Sequence, residues 1–416
     1  MGYGNVTSLT AAVIGGGIGG TAAAIALSRA GVDAHVYEQA PEQKEVGAGI
    51  QISPNASRLL YRYGLEAALE KCGVKPVAIE RRRWQDGRVL SRMPMGETIV
   101  AAFGAPYFHF HRADLLAALV EGLPAGRVHT GKRCTGITQQ ADGATAQFED
   151  GTSITADVIV GADGIHSTVR TALLAPEKPR FSGHVAYRGL APAERLRRLD
   201  LERLGTAWLG PGGHFVHYFV AGGRYVNFVA VTEKDTWTRE SWADLGSLKD
   251  AHAAFAGWHP QVHAIIDAVD ETYKWALHDR NPLPRWSEGR VTLLGDACHA
   301  MLPYMAQGAV QAIEDGATLA ACLKLAGRTR IPEALRQYEV LRKPRVTRVQ
   351  EMARGNAVGF HLPDGPEQEK RDAALSAAAQ DPVKAFAALY GHDAEAIDVA
   401  VAYLNSSLLA AAPGIK

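Results

Sequence analysis

The chain has 416 residues, 47% apolar and 21% charged, with 44 basic and 44 acidic side chains and no net charge. That length accommodates two packed domains or one large one. The charge balance gives no electrostatic case for nucleic acid or an anionic membrane as partner.

No apolar run approaches the roughly 20 residues that span a bilayer, and the first ten residues lack a secretory signal pattern. The four cysteines, Cys72, Cys134, Cys298 and Cys322, form no Cys-x-x-Cys pair. These features predict a reduced, cytoplasmic chain, monomer or homodimer, with no zinc site.

Ala11–Ile14 reads as a buried strand. Gly15-Gly16-Gly17-Ile18-Gly19-Gly20 follows, then an Ala-rich helical stretch stopped by Gly31, then a strand over Asp33–Tyr37 ending in Glu38. Strand, glycine turn, helix, strand and acid are the order of a dinucleotide-binding βαβ unit. Gly15 permits the tight turn, Gly17 admits a pyrophosphate, and Gly20 lets helix and strand pack closely. The helix start offers N–H groups to phosphate, and Glu38 is placed to accept from a ribose diol. An adenine dinucleotide is therefore predicted.

A loop of small residues runs from Val46 to Asn55, and 55–69 has helical apolar spacing. Alternation over 79–110 predicts short strands, with a helix from near Asp114. Strand patterns over 145–160 end in Asp163-Gly164. Residues 181–231 alternate strongly, with a hairpin signal at Ala221-Gly222-Gly223. Val291–Leu294 is a short strand ending in Gly295-Asp296, and helical spacing dominates from Gly308. Gly210-Pro211-Gly212-Gly213 lacks a third spaced glycine and a following helix. One dinucleotide is thus held permanently, and no second Rossmann unit exists for a nicotinamide coenzyme.

Three motifs stand together: Gly15-x-Gly17-x-x-Gly20, Asp163-Gly164-Ile165-His166-Ser167-x-Val169-Arg170, and Gly295-Asp296-Ala297-Cys298-His299 continuing through Pro303 and Gln307-Gly308. This set resembles the single-component FAD-dependent aromatic hydroxylases (group A flavoprotein monooxygenases). The resemblance is nearest to the salicylate hydroxylase, 3-hydroxybenzoate 6-hydroxylase and 6-hydroxynicotinate 3-monooxygenase branch. It implies an α/β fold: a Rossmann-type FAD-binding domain over 8–75, 106–180 and 281–355, an inserted β-sheet substrate domain over 76–105 and 181–280, and a helical C-terminal region over 356–416. FAD is the implied cofactor, with NADH or NADPH as transient co-substrate. Asp296 would accept from the ribityl hydroxyls and Arg112 would contact the FAD phosphates. Asp163 and Gly164 would lie near FAD and the passing coenzyme, with Arg170 in support. Gly308 and Ala309 would face the flavin pyrimidine carbonyls, and Pro303 would border the position where oxygen adds.

A flavin hydroperoxide hydroxylates an electron-rich ring best, so the site needs a group to take a phenolic proton. In Gly213–Tyr218, strand geometry puts His214, Val216 and Tyr218 on one face and His217 on the other. His214 and Tyr218, about 13 Å apart along the strand, are placed to reach two ends of a small aromatic acid. The same His-x-x-x-Tyr spacing serves substrate binding and phenol activation in the relatives; the alternative is a packed hairpin face. Gln51 and Tyr304 stand in loops where the 6-hydroxynicotinate enzymes carry histidines, and both are read as substrate-binding, with Gln51 also beside the cofactor. Pro303 stands where the 3-hydroxybenzoate 6-hydroxylases have glutamine. A salicylate-like acid, hydroxybenzoate or hydroxypyridine carboxylate is the expected substrate class. The alternative is a non-oxygenating FAD-dependent reductase or oxidase of the same fold.

His109 and His111 read as strand residues. Cys298-His299 reads as structural, with no orienting acid evident, and Glu80–Arg83 as solvated surface.

Overall fold

The apolar run Thr10–Ile14 pairs in parallel with Asp33–Tyr37 on one side and Val158–Gly161 on the other. Val291–Leu293 and Val128–His129 extend this sheet in parallel, and Ser287–Glu288 adds an antiparallel edge. Such strands read as unbroken apolar runs because both faces are covered. The computed structural model describes residues 8–42, 48–234 and 245–397. Val46 and Gly47 of the small-residue loop, and the chain from 398 onward, lie outside the described residues.

Helix Ile18–Arg29 crosses between the first two strands and lies against helix Gly308–Ala326. Small residues set their separation. A Cβ on Gly316 would stand 2.6 Å from Ala23 Cα, and one on Gly19 would stand 2.8 Å from Ala312 Cβ.

A second sheet has eight strands in the order Leu245–Gly246, Thr272–Asp279, Arg180–Pro192, Tyr225–Glu233, Gly213–Val220, Leu204–Gly210, Ala78–Arg83 and Val89–Pro94. Neighbours are antiparallel except Ala78–Arg83 with Leu204–Gly210. The expected hairpin joins Gly213–Val220 to Tyr225–Glu233 through a single turn at Ala221–Gly223.

The strong alternation reflects two buried faces. On one, Trp208, Phe215 and Phe228 pack with Phe255 beneath helices Leu248–Ala254 and Pro260–Asp267. On the other, Leu209, Val231 and Trp275 pack on Leu302, Tyr304 and helix Ile331–Phe360. The strand pair Gly49–Ile52 and Phe108–His111 joins this second side, where Gly49 N donates to Asn227 Oδ1 at 2.7 Å.

Two local expectations need correction. Residues 79–110 hold a helix, Glu97–Phe103, as well as strands. The helical stretch over 55–69 is two helices, Pro54–Arg62 and Glu66–Cys72, separated near Gly64 with φ +84°. The helix expected near Asp114 begins at Arg112. Among the described residues no helix is long and apolar enough to cross a membrane.

Candidate active site

Where Thr10–Ile14, Val158–Gly161 and Val291–Leu293 end, a cavity of about 560 Å³ opens. Gly15, Gly17, Glu38, Arg112, Asp163, Asp296, Gly308 and Ala309 all line it. Gly15 holds φ +108°, and a Cβ there would meet Ala162 O at 2.3 Å. Gly20 sits beneath the cavity, where a Cβ would meet Gly15 O at 2.0 Å. Gly17, the N-terminal cap of helix Ile18–Arg29, has open space where its side chain would be. The first-turn N–H groups of a helix lack intrahelical acceptors, so this end suits a phosphate.

Glu38 accepts from Gly16 N at 2.7 Å and Ala40 N at 2.8 Å, which fixes its carboxylate at the strand end. Asp296 is exposed at the cavity, while Ala297, Cys298 and His299 behind it are buried. Open glycine backbone, a helix N-terminus and two acids at strand ends fit an adenine dinucleotide.

Asp163, which lines the cavity, is fixed by its own loop. Its carboxylate accepts from the Ser167 hydroxyl, Thr168 N (2.7 Å) and Val169 N (3.1 Å), holding the start of helix Thr168–Leu173. Burial pushes its carboxyl up despite those bonds. It borders the cavity as a loop former. Buried Arg170 donates to Ile165 O and Ala297 O, tying that loop to the Gly295-Asp296 segment.

Gln51 is the residue expected to border both cofactor and substrate. It does not line the cavity; it accepts from Tyr107 OH at 2.6 Å and hydrogen-bonds Tyr218. Lys132 and Arg133 line the cavity outside any motif.

A buried polar network supports the floor. Arg342 reaches Glu314 at 2.5 Å and Asp315 at 2.8 Å, Asn55 reaches Glu314 at 2.5 Å, and His299 Nε2 lies 2.6 Å from Asp315 Oδ2. Burial alone would raise both carboxyls, but Arg342 and then Arg345 hold Glu314 below the usual range, and His299 and then Arg342 hold Asp315 there. So His299 does have an orienting acid. Cys298 Sγ points instead to Gly295 O at 3.4 Å, and no Cys–His dyad forms.

On the eight-stranded sheet, His214 and Tyr218 lie on the face toward Tyr304 and Gln51, and His217 lies on the opposite face beside Phe215. Each is claimed by a different polar cluster. His214 Nδ1 is 2.7 Å from His361 Nε2, and its ring centroid is 5.0 Å from that of Tyr304, whose OH is 2.7 Å from His184 Nδ1. The Tyr218 ring lies 4.4 Å from that of His109, tilted by 40°, and Tyr218 shares Gln51 with Tyr107. Burial, followed by His361 and His184, pushes His214 well below the usual imidazole range; burial holds the Tyr218 phenol up. Burial, with Arg82 nearby, lowers His217 to about 3, and its Nε2 has no hydrogen-bond partner among the described residues.

Arg81, Ala207, Val216 and Val229 occupy one row across four strands of this face. Arg81 is half-buried, touches Met93 Sδ at 3.6 Å and has no acidic partner among the described residues. The reading of Glu80–Arg83 as solvated surface is thereby corrected: Glu80 is buried under Arg82 and Arg92, and Arg81 faces the interior. Pro303 is exposed and opens the short helix Pro303–Met305, between Asp296 and Tyr304 in the chain.

The FAD binding domain family matches residues 8–353. The 3-amino-4-hydroxybenzoate 2-monooxygenase PtmB3 of Streptomyces platensis is 47% identical, covering 92% of this chain and 96% of that relative. The 6-hydroxynicotinate 3-monooxygenase of Pseudomonas fluorescens is 42% identical over 83% and 90%. A solved salicylate hydroxylase substrate complex superposes with TM-score 0.80 at 29% identity, covering 99% of this chain and 100% of that one. On the family match and these relatives, this chain belongs to the FAD-binding-domain family and is an FAD-dependent monooxygenase of the aromatic-hydroxylase type.

Proposed function

We propose that the chain hydroxylates a small aromatic carboxylate already bearing a ring hydroxyl, using O2 and either NADH or NADPH, in the cytoplasm. The substrate class spans hydroxybenzoates, salicylate-like acids and hydroxypyridine carboxylates. The relative named for 3-amino-4-hydroxybenzoate makes aminohydroxybenzoates the first to try. The observation that carries this reading is the presentation of His214, Tyr218 and Arg81 on one sheet face, the face Tyr304 packs against.

A guanidinium with no acidic partner among the described residues suits a carboxylate through two parallel hydrogen bonds. His214, neutral because burial disfavours its charge, accepts the ring hydroxyl's proton, and an ionised ring is the better nucleophile. Tyr218, kept protonated by burial, donates to the substrate's oxygen. Bound FAD supplies the electron transfer and the activation of oxygen. Gly15, Gly17, Glu38, Arg112 and Asp296 would hold it, and the Gly308 and Ala309 amides would stabilise negative charge on its pyrimidine ring. Pro303 would border the position where oxygen adds. The nicotinamide coenzyme approaches transiently near the Asp163–Arg170 loop.

The test is a panel of hydroxylated aromatic acids and their decarboxylated phenols, scoring product formed per NAD(P)H consumed. Coupled hydroxylation of at least one acid is expected. Arg81→Met should raise its KM roughly 10- to 100-fold, the worth of a charge-assisted hydrogen bond, and leave the phenols unaffected. Coenzyme oxidation without product across the panel would favour the reductase or oxidase reading.

A further inference from the structure

Two side chains behind His214 have no part in the reading above. Glu233 Oε1 lies 3.2 Å from His361 Nδ1, and His361 Nε2 lies 2.7 Å from His214 Nδ1. An ionised carboxylate only accepts, so His361 carries its proton on Nδ1 and presents a lone pair at Nε2. His214 must then donate from Nδ1, which leaves its own Nε2 as an acceptor. One acid two residues removed thus dictates which nitrogen of His214 is basic.

The row also runs from interior to surface. His214 is 3% exposed and the His361 side chain 1%, whereas the Glu233 side chain is 56% exposed. The turn before His214 is clamped to it, because Gly212 N donates to His361 O at 3.0 Å. Burial lowers His361 to about 3 and His214 well below the usual range, so neither ring suits a resting positive charge.

We infer that Glu233 and His361 are positioning residues that set the tautomer of His214 and pass the substrate's phenolic proton from it to solvent. This rests on the hydroxylase reading. The phenolic O–H breaks as His214 Nε2–H forms, and His214 Nδ1–H breaks as His361 Nε2–H forms. His361 Nδ1–H then breaks as the Glu233 O–H forms, and that acid releases its proton to water. The passage leaves the ring as phenolate and both imidazoles neutral, with their tautomers exchanged; the reverse passage restores them when the product is reprotonated.

The experiment compares FAD-loaded wild type with Glu233→Gln, Glu233→Ala and His361→Gln, using an acid that wild type hydroxylates. Glu233→Gln keeps the shape and an acceptor atom but takes no proton, and it should lower kcat about 10-fold or more, approaching the roughly 10²-fold low end for a lost acid–base group. KM and the bound-flavin spectrum should hold. Glu233→Ala should lose rate similarly and regain it with added formate, which the exposed position admits; a purely structural role gives no rescue. His361→Gln should impair kcat without formate rescue. Unchanged kcat in all three variants would overturn the relay and leave the hydroxylase reading standing, whereas a wild type that hydroxylates no acid overturns both. The ligand atoms of His184, Glu233 and His361 lie within 4.8 Å of one another. A stoichiometric divalent ion in purified protein that Glu233→Ala loses would assign these side chains to a metal and overturn the relay as well.

Discussion

A carboxylate's task here follows from what already holds its oxygens. Asp163 and Asp296 look alike in the sequence, each closing a short apolar strand and preceded by a small residue. Ser167, Thr168 and Val169 consume the first, while the second is exposed at the cavity. Asp296→Ala should therefore purify flavin-poor, read as the flavin-to-protein absorbance ratio; full FAD occupancy would remove Asp296 from the site. Arg81 illustrates the opposite difficulty. Within Glu80–Arg83 nothing local separates the inward arginine from its neighbours, because strand alternation gives two faces but not which one is dry. Its role emerges only when Ala207 and Val216 fall into its row.

At the scale of elements, the glycine turn is legible because Gly15, Gly17, Gly20 and Glu38 lie within one βαβ unit whose geometry depends on local backbone. Strand Gly213–Val220 is legible too, since a period of two separates His214 and Tyr218 from His217. The polar core of helix Gly308–Ala326 is not. Glu314 and Asp315 read as an acidic pair in an apolar helix, and their partner Arg342 lies a helix away. Arg342→Met would leave two buried charges poorly compensated and should cost about 3–5 kcal/mol, measured by urea unfolding. Both carboxyls sit below their unfolded values of about 4. Their contribution is thus fully present above that pH and is lost as pH falls through the lower folded values. The gap between wild type and Arg342→Met should accordingly narrow in acid; a constant gap would assign the stabilisation to packing.

For the whole molecule, the dispersed segments converge because the parallel sheet brings its strand ends to one edge, where open α/β sheets place their ligands. That convergence is foreseeable from motifs that each end a strand. The pairing of His214 with His361, 147 residues apart, leaves no trace in local sequence, since it depends on where the long helix Ile331–Phe360 ends over the second sheet. The cavity at the strand ends is therefore legible in the motifs that line it, whereas the surroundings of His214 are not. We propose that the sheet face bearing His214 and Tyr218 receives the aromatic acid. It is tested most directly by product formed per NAD(P)H consumed, with turnover rate, for His214→Ala, Tyr218→Phe and His217→Ala. Losses of about 10²–10⁴-fold in hydroxylation are expected for His214→Ala and a clear loss for Tyr218→Phe, both with FAD retained, and near-normal coupling for His217→Ala. Impairment confined to His217→Ala would contradict it and put the substrate on the opposite face of the sheet.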